Sequence, residues 1–188
     1  MLRIITGTHR GRSLEIPLNK EVRPTSGRVR EAAFNILSHG VFRDHDHTIL
    51  ENARVADLFC GSGALGFEAL SRGANHVTFT DKNSDNLEVA RRNAAMLGET
   101  KKCKFIRCDS SEPPTEQTAF DILFLDPPYK SGMLELSISN LITRGWSRTN
   151  SIFVIECSKH ESINPHENLS LHSQRIYGNT QLLLLIQQ

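Results

Sequence analysis

The spacing of hydrophobic positions changes several times along the chain, and each change marks an element. Two short apolar stretches, 2–6 and 13–16, flank Gly7-Thr8-His9-Arg10-Gly11, which predicts a small β-hairpin. Pro17 and Pro24 bracket a loop. From Arg28 the period becomes helical: Val29, Ala32, Ala33, Ile36 and Leu37 share one apolar face, and Thr25 or Ser26 can cap it. The polar segment 43–52 is predicted as a loop. Strand and helix patterns then alternate: strand 54–59, helix 64–72, strand 77–80, helix 84–97, strands 103–107 and 120–125, helix 132–143, strand 151–156. The run Phe120-Asp121-Ile122-Leu123-Phe124-Leu125 is apolar enough to be buried on both faces. The tail, 169–177 and 180–186, predicts two strands joined by a tight Gly178-Asn179 turn.

Alternating strands and helices predict an α/β fold with a mostly parallel sheet covered on both faces, and the closing antiparallel hairpin makes the sheet mixed. In such sheets ligands bind beyond the carboxyl ends of the strands, at the point where strand order reverses. The division expected is a basic hairpin-and-helix extension over 1–40 and a catalytic domain over 41–188.

Length and composition add limits. The chain has 188 residues, which suits one domain with a short extension. No apolar run approaches a membrane span, and Met1 to Gly7 is too short and polar for a signal peptide, so a cytoplasmic protein is expected. Cys60, Cys103, Cys108 and Cys157 form no Cys-x-x-Cys pair and read as free thiols. His45-Asp46-His47 looks metal-like but lacks further ligands at suitable spacing, so no metal is expected. Net charge is only +1, yet residues 1–30 hold seven basic side chains against two acids, a local +5. A basic arm on a mildly acidic body points to a polyanion partner met by the arm.

The candidate chemistry sits at predicted strand ends. Asp57-Leu58-Phe59-Cys60-Gly61-Ser62-Gly63-Ala64-Leu65-Gly66 leaves a strand and opens a helix, so glycine lets the backbone turn tightly and helix amides face a ligand. Gly61, Gly63 and Gly66 alone also fit a dinucleotide loop. The acids separate the two readings. Asp57 can receive the ammonium of a bound amino acid and would repel a pyrophosphate. Asp81 can accept ribose hydroxyls, and Asp109 an adenine amino group. The set fits adenosine joined to an amino acid.

Asp126-Pro127-Pro128-Tyr129 follows the buried strand. Two prolines stiffen the corner and remove two amide donors, leaving acceptors: the Asp126 carboxylate and the Pro127 carbonyl. An exocyclic amine on a nucleobase has two N–H groups to offer them. Hydrogen bonds to both help localise a lone pair otherwise delocalised into the ring. Tyr129 supplies a flat face on which an extruded base can stack.

These residues resemble a known family. Asp57–Gly66 is similar to the first motif of class I S-adenosylmethionine-dependent methyltransferases, and Asp126–Tyr129 to their amine-methylating (Asn/Asp)-Pro-Pro-(Tyr/Phe) motif. The stretch Arg23-Pro24-Thr25-Ser26-Gly27-Arg28-Val29-Arg30-Glu31-Ala32-Ala33-Phe34-Asn35-Ile36-Leu37 resembles the signature ahead of the catalytic domain in the RsmD family, 16S ribosomal RNA guanine-(N2)-methyltransferases. Leu65 to Ala74 and Tyr177-Gly178-Asn179-Thr180 continue the match. Gly27 departs from an expected acid, and Asp81 stands where Glu is common.

The resemblance implies a Rossmann-like class I methyltransferase fold with a seven-stranded sheet. It implies S-adenosylmethionine as cofactor, S-adenosylhomocysteine as product, and guanine in 16S ribosomal RNA of a partly assembled small subunit as substrate, acted on by a monomer. It places Asp57, Gly61, Ser62, Gly63, Asp81, Lys82, Asp109 and Ser110 at the cofactor, Asp126, Pro127 and Tyr129 in catalysis, and Arg23, Thr25, Arg28 and Arg30 on RNA. Three other readings stay open: adenine-amine methylation on DNA or RNA, a nicotinamide-dependent oxidoreductase, and a non-catalytic RNA-binding assembly factor.

Overall fold

A computed structural model describes residues 2–17, 27–39, 43–44, 47–128, 133–161 and 166–188. The elements run β1 (Leu2–Arg3), β2 (Ser13–Leu14), α1 (Gly27–Leu37), β3 (Arg43–Asp44), β4 (His47–Thr48), β5 (Arg54–Leu58), α2 (Ala64–Ser71), β6 (His76–Asp81), α3 (Ser84–Leu97), β7 (Cys103–Arg107), β8 (Ile122–Leu125), α4 (Met133–Thr143), β9 (Ile152–Ser158), β10 (Leu169–Tyr177) and β11 (Thr180–Gln187). A single 3-10 turn, Thr100–Lys102, leads into β7.

The main sheet has seven strands in the order β10-β11-β9-β8-β5-β6-β7. β5, β6, β7, β8 and β9 run parallel, while β11 is antiparallel to β9 and to β10. This is the mixed sheet expected. After β5 the chain adds β6 and β7 on one side and then returns to place β8 on the other. The reversal of order therefore falls between β5 and β8.

Two apolar layers cover the sheet. Phe34, Leu37, Phe67, Leu70, Leu87 and Ala90 pack with Val55, Phe124 and Val154, so α1, α2 and α3 share one face. Leu134, Ile138 and Leu141 of α4 join Trp146, Leu123 and Phe153 on the other. Neighbours on one strand, such as Phe124 and Leu125, belong to opposite layers because side chains alternate along a strand. β8 is buried along its whole length, as its unbroken apolar run requires.

The α1 and β1–β2 segment is bound into this architecture. The Glu68 carboxylate on α2 is fully buried and accepts from the amides of Ile5 (2.7 Å) and Thr6 (3.0 Å) and from Arg72 Nε (2.9 Å). Gly7 has a φ of 87°, and a Cβ there would lie 1.8 Å from the Ser71 carbonyl oxygen, so only glycine lets the hairpin sit this close to α2. The hairpin strands are two residues each, shorter than expected, because the Ile5 and Thr6 amides donate to Glu68 instead of extending the ladder.

One expectation is corrected. Within 43–52, expected as loop, β3 and β4 form an antiparallel pair, Arg43 opposite Thr48 and Asp44 opposite His47. The polar segment has no alternation to announce such a pair. The expected capping residues Thr25 and Ser26, and His45 and Asp46 of the metal-like tripeptide, lie outside the described residues. Among the described residues no cluster of three or more metal-ligating side chains occurs, and no helix is long and apolar enough to cross a membrane.

Candidate active site

The sheet places the two chemistry-bearing segments side by side. Leu58 and Leu125 are paired across the parallel β5–β8 ladder. The glycine loop begins at Phe59 and the proline corner at Asp126, one residue beyond that pair. Both therefore leave the sheet at the same level, at its carboxyl edge, where the strand order reverses.

Tight local geometry builds the loop. Phe59 takes a φ of 60°, Gly61 53° and Gly63 77°. The Cys60 amide donates to the Thr80 carbonyl (2.9 Å), and the Gly63 amide to the Cys60 carbonyl (2.7 Å). A Cβ on Gly63 would meet the Phe67 ring at 2.6 Å, and one on Gly66 would meet the Phe79 ring at 2.4 Å. Glycine at these positions lets the loop and the first turn of α2 press against β6. Ser110 is buried; its Oγ accepts from the Phe59 amide (3.2 Å) and bonds Thr80 Oγ1 (2.7 Å), tying the loop to the end of β7. Ser62 is buried, and its carbonyl accepts from Asn93 Nδ2 (3.0 Å).

Acids ring this loop. Asp57 is buried beneath it and accepts from the Gly66 amide (2.9 Å). Burial pushes its carboxyl up to about 8, the Gly66 bond opposes the rise, and Asp126 and Asp81 add to it. Asp81 ends β6: its Oδ2 accepts from the Gly61 amide (3.0 Å) and Asn86 Nδ2 (3.0 Å), its Oδ1 from the Asn83 amide (2.9 Å). Asp109 is exposed, and hydrogen bonds from the Ser111 hydroxyl and amide hold its carboxyl below the ordinary range. Lys82 is exposed and lies close enough to help lower Asp109. Asp81 and Asp126 thus concentrate negative charge at one edge of the sheet, beside the buried Asp57. That field attracts a sulfonium or an ammonium and opposes a pyrophosphate. Together with the narrow glycine cradle, this donor set fits S-adenosylmethionine.

At the corner, Asp126 is half-buried, Pro127 buried and Pro128 exposed. Tyr129 lies outside the described residues, as do Arg23 and Thr25. Arg28 and Arg30 are on α1 but point differently. Arg28 is exposed, with its guanidinium 5.7 Å from the Tyr177 ring centroid. Arg30 is only 3% exposed and donates from Nη2 to the Arg3 carbonyl (2.6 Å).

The chain is similar to known proteins in sequence and in fold. A family model described as Conserved hypothetical protein 95 covers residues 2–186. Ribosomal RNA small subunit methyltransferase D of Haemophilus influenzae is 32% identical over 187 residues, 94% of this chain and 89% of that protein. The chain belongs to the RsmD family. Another similar structure is that of the putative methyltransferase yhhF from Escherichia coli, with a TM-score of 0.84, 31% identity, and 99% and 97% of the two chains covered. Magnesium protoporphyrin IX methyltransferase from Synechocystis, solved with bound SAM, shares only the fold, at TM-score 0.62 and 15% identity over 86% of this chain and 78% of that one.

In this RsmD-family chain two side chains near the site escaped the sequence reading. Asn93 is fully buried; its Oδ1 accepts from the Glu15 amide (2.8 Å), and its Nδ2 donates to the Glu15 and Ser62 carbonyls (3.0 Å each). It joins the segment after the hairpin to the glycine loop. Glu156 is 8% exposed near the end of β9. The signal for Glu156 was present in Ile152-Phe153-Val154-Ile155-Glu156, an acid breaking an apolar strand. For Asn93 there was none, because its partners are 31 and 78 residues away.

Proposed function

We propose that this protein transfers a methyl group from S-adenosylmethionine to the exocyclic amine, N2, of a guanine in small-subunit ribosomal RNA. One observation carries the reading: the glycine loop with its acids and the donor-free Asp126-Pro127-Pro128 corner leave adjacent parallel strands at the same level. A cofactor cradle and an amine-binding corner at that spacing suit transfer between the two. The relative's printed name, Ribosomal RNA small subunit methyltransferase D, supports the RNA class.

S-adenosylmethionine supplies a methyl group activated by sulfonium and is released as S-adenosylhomocysteine. Asp57, Asp81 and Asp109, with the loop Gly61, Ser62 and Gly63 and the flanking Lys82 and Ser110, form its cradle. The Asp126 carboxylate and the Pro127 carbonyl accept the two amine N–H bonds and orient the nitrogen lone pair. Methylation makes that nitrogen acidic, so Asp126 or water takes the leaving proton without a strong base. Tyr129 stacks on the base. Arg23, Thr25 and Arg28, in the 1–40 extension, hold RNA phosphates. The protein acts as a cytoplasmic monomer on a partly assembled small subunit. The negative field of Asp81 and Asp126 weighs against a nicotinamide dinucleotide in the same loop.

The test is Asp126→Ala. Methyl transfer to small-subunit RNA falls by about a thousandfold, while RNA binding in a filter assay changes by less than about threefold. A variant that transfers methyl groups at the wild-type rate overturns the assignment.

A further inference from the structure

Helix α3 carries two buried amides on a face that is otherwise apolar. Leu87, Val89, Ala90, Ala94 and Leu97 are buried along it, and Asn86 and Asn93 sit among them. The two lie about two turns apart on one stripe of the helix. A buried amide costs free energy unless its hydrogen bonds are made, so its partners show what it holds. Asn86 Nδ2 donates to Asp81 Oδ2 (3.0 Å), the same oxygen that accepts from the Gly61 amide (3.0 Å). Asn93 Nδ2 donates to the Ser62 carbonyl (3.0 Å). The centre of the glycine loop is thus tied to α3, at Gly61 through Asp81 and at Ser62 directly.

Glu15 supplies the second observation. It follows β2 and takes up the rest of the Asn93 side chain: its carbonyl accepts from Nδ2 (3.0 Å), and its amide donates to Oδ1 (2.8 Å). With both ends of the amide engaged by one backbone residue, the Asn93 side chain is fixed in the plane that points its remaining N–H at Ser62. The Glu15 carboxylate pairs separately with the exposed Arg92 Nε (2.8 Å). The segment after the hairpin therefore reaches the glycine loop through a single side chain that solvent does not touch.

The Ser62 carbonyl and the Gly63 N–H belong to one rigid peptide plane. Asn93 holds its oxygen, and the Cys60 carbonyl holds its N–H (2.7 Å). On either side stand Gly61 and Gly63, with φ of 53° and 77°, and glycine alone does little to keep a loop in one shape. We infer that Asn93 is a positioning residue for the cofactor: oriented by the Glu15 backbone, it holds the Ser62–Gly63 peptide in its binding shape and makes the segment after β2 a working support of the cradle. The inference rests on the proposed use of S-adenosylmethionine. A loop ordered during folding has less conformational freedom left to lose when the ligand arrives, and binds it more tightly.

The experiment uses the full chain and the Asn93→Ala variant. Calorimetry with S-adenosylmethionine gives a Kd about tenfold above that of wild type, and kinetics on small-subunit RNA give a KM for it raised alike, with kcat within about twofold. A merely structural loss lowers the folded fraction instead, which cuts kcat and leaves KM unchanged. Arg92→Ala removes only the exposed ion pair on Glu15 and keeps the Kd within about twofold. A wild-type Kd in Asn93→Ala overturns the inference, and so does an equal rise in Arg92→Ala. If Asn93→Ala does not fold, hydrogen exchange of wild type decides. Saturating S-adenosylmethionine slows exchange of the Glu15 amide, bonded to Asn93, by about tenfold or more. It slows the Arg12 amide, bonded to the His9 carbonyl within the hairpin, far less. Equal slowing at both amides, or none at Glu15, overturns the inference. Wild type that binds no S-adenosylmethionine overturns instead the reading beneath it.

Discussion

At the scale of single residues, Asp57 ties folding stability to pH. It lies buried under the glycine loop with the Gly66 amide on one oxygen and with Asp81 and Asp126 near enough to be felt. Its carboxyl titrates at about 8 in the fold against an ordinary value of 3.8. Between those values the folded chain holds a proton that the unfolded chain has released. The stability it contributes is full below the lower value and is lost as pH rises toward the upper one, at up to about 1.4 kcal/mol per pH unit. Urea melts of wild type and Asp57→Asn across pH 5 to 9 isolate this term: the variant gains on wild type as pH rises. A difference between the two that does not change with pH contradicts the buried, neutral Asp57. Burial is the main cause of that rise; a cationic ligand would offset the smaller part that Asp126 and Asp81 add.

At the scale of elements, the hairpin is held to α2 by Glu68 more than by its own two-residue strands. Glu68→Ala leaves two amides and the Arg72 guanidinium without their shared acceptor. The expected loss is about 3 kcal/mol, seen as a fall in Tm of roughly 6–12 °C, with faster hydrogen exchange at Ile5 and Thr6. A fall within about 2 °C contradicts this account of the anchor. The sequence revealed most of these elements because their burial is periodic. The helix over Ser84–Leu97 and the strand over Cys103–Arg107 were bounded as found, since Leu87, Ala90, Ala94 and Leu97 repeat at helical spacing and turn signals flank both. The β3–β4 pair was hidden because it has no apolar pattern. The anchoring role of Glu68 was hidden because the amides it binds, Ile5 and Thr6, are some 60 residues away, and local spacing carries no record of them.

At the scale of the whole molecule, strand order converts separated motifs into one site. Asp57–Gly66 and Asp126–Pro128 were legible as loops at strand ends, but their adjacency came only with the β5–β8 pairing. Arg30 shows the limit from the other side. The family resemblance implied a phosphate contact for it, yet helical phase buries it while Arg28 faces solvent. In the proposed reaction the basic arm, the acidic edge and the donor-free corner have distinct tasks: polyanion, cationic cofactor and amine. The most direct measurement of that account is mass spectrometry of nucleosides from small-subunit ribosomal RNA after incubation with the purified protein and S-adenosylmethionine. N2-methylguanosine appearing with the protein, and absent with Asp126→Ala, is the predicted result. A methyl group found on adenine or on no base, while guanine stays unmodified, contradicts it.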